Sequence, residues 1–120
     1  MSRPAFLVLE PEPLEALSTR KLVLETAKFN VLTAHSGDEA LALLRDFPEV
    51  SALIAVAAMK NCEKVVTAAR RLNAKLPVIL LSPNPTHSCK GDHNVSTHDP
   101  EALVKLMRKL FGDPRQNEHG

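Results

Sequence analysis

Short, continuous apolar runs alternate along the chain with longer segments whose apolar residues recur every three or four positions. This is the arrangement expected of buried strands alternating with amphipathic helices. Phe6-Leu7-Val8-Leu9 is the first run, and because no polar residue interrupts it, it reads as a strand covered on both faces. Past the turn Glu10-Pro11-Glu12-Pro13, Leu14, Leu17, Leu24 and Ala27 fall at helical spacing and predict a first helix over 14–28, with Pro13 tolerated in its first turn. Val31-Leu32-Thr33-Ala34 is a second strand. Ser36-Gly37-Asp38-Glu39 then matches a capping box, in which Ser and Glu each satisfy a backbone donor at a helix start. The helix it opens turns Ala40, Leu41, Leu44 and Phe47 inward and stops at Pro48.

Ala52-Leu53-Ile54-Ala55-Val56 forms a third strand, and Val65, Val66, Ala69 and Leu72 mark the next helix, whose end carries Arg70 and Arg71 where the helix dipole favours cations. Pro77-Val78-Ile79-Leu80-Leu81 is a fourth strand, with Pro at its first position. From Ser82 to His93 the pattern breaks: Pro83, Pro85 and Gly91 stand among polar residues and predict a loop, followed by a very short fifth strand at Asn94-Val95-Ser96. Asp99-Pro100-Glu101 starts a last helix with the buried stripe Leu103, Leu106, Met107 and Leu110, ended by Gly112 and Pro114. The expected fold is α/β: a doubly wound, five-stranded parallel sheet in the flavodoxin-like order 2-1-3-4-5, with the helix between strands four and five reduced or missing. One domain covers 1–112 and a disordered polar tail covers 113–120.

Composition narrows the function classes. The chain has 120 residues, with 15 Lys+Arg against 14 Asp+Glu and a formal net charge of +1. A domain of this size can close a core without metals or disulfides, and the balanced charge gives no field to attract nucleic acid or an anionic membrane. No apolar run approaches a membrane span and no signal-peptide layout opens the chain, so a cytoplasmic protein is expected. Cys62 and Cys89 are too few and too far apart in sequence to suggest a disulfide framework, and free thiols are expected.

Four stretches in register carry a resemblance: Phe-Leu-Val-Leu-Glu-Pro-Glu-Pro-Leu at 6–14, Val-Leu-Thr-Ala-His-Ser-Gly-Asp-Glu-Ala-Leu at 31–41, Leu-Pro-Val-Ile-Leu-Leu-Ser at 76–82 and Asp-Pro-Glu-Ala-Leu at 99–103. From Phe6 to Phe111 the chain resembles the receiver domain of two-component response regulators. The resemblance implies a site at the carboxyl ends of the strands: an acidic pair after strand one, a phosphoacceptor Asp after strand three, Ser or Thr after strand four and Lys after strand five. A carboxylate attacks a phosphoryl group only when a metal held by carboxylates and a nearby ammonium neutralise the developing charge. Here Glu10 matches the first acid, Pro11 stands for the second, Val56 for the phosphoacceptor, Ser82 for the hydroxyl and Ser96 for the Lys. No residue from Val50 to Asn61 is acidic, so a shift of alignment does not restore the nucleophile. Thr97 and His98 replace the usual Pro and aromatic.

Two further sets are weighed. Lys60 can swing over the crevice and pair with Glu10, against its plain reading as a surface lysine. His87, Cys89, His93 and His98 supply imidazole and thiolate in and after the polar loop, but their spacing fits no closed zinc pattern, and Cys89 as a redox thiol has only Lys90 beside it. A flavin or nucleotide site is disfavoured by Pro11 and Pro13 where a glycine-rich phosphate loop would stand. The resulting expectation is a receiver-like signalling module, not an enzyme, that acts by phosphorylation-independent protein–protein interaction and needs no cofactor. Its partner is a histidine kinase or another signalling protein, or a second copy through the last helix, and neither nucleic acid nor membrane. The alternatives are a conventional phosphoacceptor of a phosphorelay and a metal or redox sensor built on the His/Cys loop.

Overall fold

The computed structural model describes residues 4–10, 24–57, 61–82, 89–96 and 99–113. Its elements are β1 (Ala5–Leu9), β2 (Asn30–Ala34), α1 (Gly37–Asp46), β3 (Ala52–Val56), α2 (Cys62–Leu72), β4 (Val78–Ser82), β5 (His93–Ser96) and α3 (Pro100–Phe111). All strand pairs are parallel and the order is β2-β1-β3-β4-β5, as the pattern predicts.

The continuous apolar runs are explained by two layers. Successive side chains of a strand point to opposite faces, so Leu7, Leu9, Leu53, Ala55, Val78 and Leu80 join one core with Ala40 and Leu44 of α1 and Val65, Val66 and Ala69 of α2. Their neighbours Phe6, Val8, Ile54, Ile79 and Leu81 join a second core with Leu24, Phe29, and Leu103, Val104 and Met107 of α3. Phe6 anchors the second layer, its ring 4.8 Å from Phe29 and 5.2 Å from Phe111 between centroids.

Helix ends follow their local chemistry. Of the predicted helix over 14–28, only the end is described: residues 24–26 are helical, and Lys28 then turns left-handed with φ 74°. The Phe29 amide donates to the Leu24 carbonyl and the Lys28 amide to the Glu25 carbonyl, a Schellman closure whose apolar pair, Leu24 and Phe29, is buried. Ser36 Oγ accepts from the Glu39 amide as the capping box requires, but Glu39 Oε1 accepts from the His35 amide, one residue outside the expected partner. Asp99 Oδ1 accepts from the Ala102 amide and Pro100 opens α3.

Three stripe residues depart from expectation. Phe47, Leu72 and Leu110 are all exposed rather than inward. Phe47 is the C-cap of α1, where the backbone has left helical geometry, and Leu72 and Leu110 lie in the last turns of α2 and α3. A stripe defined by period continues to the end of a helix, whereas the sheet beneath it does not. Conversely, Cys62 and Val104 join the buried faces although the periodic stripes omit them. The connection from β4 to β5 spans 83–92, and its described part, residues 89–92, is not helical. No helix among the described residues is long and apolar enough to cross a membrane.

Candidate functional site

In an open parallel sheet, helices leave the carboxyl ends of the strands and the loops there form a crevice. Glu10, Val56, Ser82 and Ser96 lie along this edge. Glu10 follows β1 directly; its amide donates to the Ala34 carbonyl at 2.9 Å, extending the ladder to β2, and its carbonyl oxygen lies 3.2 Å from His35 Nδ1. Val56 is the last residue of β3 and pairs with Leu81, while the next amide, Ala57, donates to the Leu81 carbonyl at 2.8 Å. Ser82 ends β4 directly opposite Ser96, the last residue of β5.

The edge therefore presents a carboxylate at β1, an isopropyl group at β3 and facing hydroxyls at β4 and β5. Val56 is half-buried between Ala55 and Ala57, both buried, so the middle of the edge is apolar. A hydrocarbon side chain has no lone pair for attack and no oxygen for a cation. The acids beside the edge, Asp38 and Glu39, lie in the first turn of α1, where Glu39 is engaged with the His35 amide. Pro11, Lys60, His87 and His98 fall outside the described residues, and with them the Lys60–Glu10 pair.

The His/Cys set is corrected. Cys89 is not a free thiol: it forms a disulfide with Cys62, with a Cα–Cα distance of 5.9 Å across a sequence separation of 27. A disulfide sulfur has no thiolate to offer a metal, so the set loses its sulfur ligand. Among the described residues no group of three or more His, Cys, Asp or Glu is placed to hold a metal ion. His93, the described histidine of the set, opens β5 opposite Ile79, at the other end of the strand from Ser96.

The pairing comes from topology. Cys62 is the first residue of α2, which starts above the carboxyl edge after β3. The β4–β5 connection must return from that edge to the amino end of the sheet, and it does so against the same layer: Cys89 belongs to the core with Val65, Val66 and Leu80. At Gly91 the backbone lies so close to β4 that a Cβ would meet Leu80 Cγ at 2.8 Å and the Val78 carbonyl oxygen at 2.9 Å. Asp92 then fastens the segment, its Oδ2 accepting from the Val78 amide at 2.8 Å and its Oδ1 lying 3.3 Å from Arg70 Nη2. The even cysteine count was the one sequence signal for the pair, and their separation concealed it.

Comparison with known proteins places the fold. No family model matches the chain, and no curated protein matches it. Solved structures do. The chemotaxis protein CheY4 of Vibrio cholerae shares 20% identity with a TM-score of 0.72, covering 90% of this chain and 98% of its own. The receiver domain of the hybrid histidine kinase CckA shares 22% with a TM-score of 0.74, covering 89% and 98%. A CheY-like receiver domain protein from Methanospirillum hungatei shares 16% with a TM-score of 0.75, covering 99% and 100%. A chain of the CheX–CheY–BeF3–Mg2+ complex from Borrelia burgdorferi shares 15% with a TM-score of 0.70, covering 90% and 89%. The chain thus has the CheY-like, flavodoxin-type fold of receiver domains.

Proposed function

We propose that this protein is a receiver-like signalling module that works by protein–protein interaction without aspartyl phosphorylation. The observation that carries the reading is Val56 at the end of β3, in a stretch from Val50 to Asn61 that contains no acid. Phosphoryl transfer to a carboxylate needs the nucleophile, the metal-binding acids and a charge-neutralising cation together. This chain has Val56, Pro11 beside Glu10, and Ser96 where those groups would stand. Ser82 remains, and in the absence of a phosphoryl group a strand-end hydrogen bond is its role. The function left to such a domain is that of its surface, with a signalling protein such as a histidine kinase, or a second copy, as partner.

Incubation with acetyl phosphate, or with beryllofluoride, in the presence of Mg2+ tests the reading. The intact mass is expected to stay unchanged, and the amide resonances around Glu10, Val56 and Ser82 to stay in place. Gain of one phosphoryl group, or a shift of those resonances on adding beryllofluoride, would establish a working phosphoacceptor and overturn the proposal.

A further inference from the structure

The β4–β5 connection is attached to the domain unlike any other described segment. Of residues 89–92, Cys89 is the one whose side chain is buried, at 2% exposure, and its sulfur is bonded to Cys62, itself 5% exposed. Beyond that bond, Gly91 lies against Leu80, the Asp92 amide donates to the Val78 carbonyl, and the Asp92 carboxylate accepts from the Val78 amide and faces Arg70. The rest of the domain closes without the bond: every strand is paired by backbone, and two apolar layers cover the sheet. Opening the disulfide therefore releases one segment and leaves the sheet standing.

We propose that Cys62 and Cys89 are a reversible dithiol–disulfide couple, exchanging with a low-molecular-weight thiol of the glutathione class, and that its state sets how firmly residues 89–92 are held against β4. A thiolate of the external thiol attacks one protein sulfur, forms a mixed disulfide and expels the other cysteine as a thiolate. A second external thiol then attacks the mixed disulfide at the external sulfur and frees the first cysteine. In sum, one protein disulfide and two external thiols give two protein thiols and one external disulfide; the two electrons come from the external thiols, and their protons end on Cys62 and Cys89. Oxidation is the same exchange in reverse, with the external disulfide as oxidant.

The placement of the pair orders the steps. Cys62 is the first residue of the eleven-residue α2, where unpaired backbone amides and the helix dipole stabilise a thiolate. It is the better leaving group, which directs attack to Cys89 when residues 89–92 open locally. Reduction removes the cross-link and leaves the segment held by Gly91 and Asp92. Cys62 opens α2 above the carboxyl edge, whereas Asp92 meets Val78 at the amino end of β4, so the couple reaches the surface assigned above to partner binding through the start of α2. That consequence rests on the proposed function; the couple itself does not.

The test equilibrates the full chain in glutathione buffers running from fully reduced to fully oxidised, followed by alkylation, intact mass and amide hydrogen exchange. The disulfide and the doubly alkylated dithiol are expected to interconvert across the series. Exchange over 89–96 is expected to be about tenfold or more faster in the dithiol, at labelling times too short for β1 and β3 to exchange in either state. The C62A/C89A variant in oxidised buffer should reproduce the dithiol pattern; if it does not fold, reduced wild-type protein carries the same comparison. A bond that stays closed at every ratio, equal exchange over 89–96 in both states, or exchange of β1 and β3 within the same labelling time on reduction would each overturn the couple in favour of an inert or purely structural bond. None of these readouts involves phosphate, so failure here leaves the phosphorylation test standing, and the converse holds.

Discussion

β3 and β5 are strands of the same sheet with only β4 between them, yet they are held by different means. In β3 the side chains of Ala52, Leu53, Ile54 and Ala55 are all fully buried, divided between two layers. In β5 no side chain is fully buried, and its residues alternate between half-buried and exposed. The central strand is stabilised by the area it removes from water, a diffuse term spread over many neighbours. The edge strand has its backbone ladder to β4 on one side, and the connection leading to it is fastened by a few bonds that can be named: Cys62–Cys89, Asp92 to the Val78 amide and carbonyl, and Asp92 to Arg70. A region held by burial resists any single chemical change in solution. A region held by named bonds can be released by one, which is why regulation is sought at the edge.

The contrast can be broken at several points. Ile54→Ala, which opens a cavity in the core layer shared with α3, should lower stability by about 4 kcal/mol in urea denaturation; a loss below about 1 kcal/mol would show that the centre is not held by packing. Removing the disulfide with C62A/C89A should cost about 3.5 kcal/mol in urea denaturation by the chain entropy of a loop of this length, with residues 89–96 exchanging first at labelling times too short for β1 and β3. Gly91→Ala tests the close approach of the connection to β4. Its new methyl group has no room between Leu80 and the Val78 carbonyl, and a cost of about 2 kcal/mol is expected; full retention of stability would mean that the connection moves away without penalty. Lys28→Gly should act in the opposite direction. Lys28 holds φ 74° at the Schellman closure, and glycine there should raise the thermal midpoint slightly, by about 1 kcal/mol of stability. The gain should be the same in the C62A/C89A background, because that closure lies in the layer opposite the disulfide.

How much of this was legible beforehand depends on the range of each interaction. The strand order β2-β1-β3-β4-β5 follows from alternating apolar runs and amphipathic segments, and the caps at Ser36 and Asp99 lie within three residues of the amides they satisfy. The carboxyl-edge positions Glu10, Val56, Ser82 and Ser96 were legible for a related reason. Glu10, Val56 and Ser82 stand at or next to the end of an apolar run and Ser96 ends the short fifth strand, and parallel topology brings those ends to one edge. Phe47, Leu72 and Leu110 misled because periodicity records the face of a helix and not where the sheet beneath it stops.

Local pattern thus determined the elements, their order and the line of residues at the sheet edge, since each of these signals is written within a few neighbouring positions. Only the tertiary structure decided that Cys62 meets Cys89, that Gly91 lies against Leu80 and Val78, and that Asp92 reaches back to the Val78 amide. Those contacts join segments from 11 to 27 residues apart. They depend on where a connection crosses the face of β4, a direction in space set by the packing of α2 and the return path to β5 and not written in any one stretch of chain.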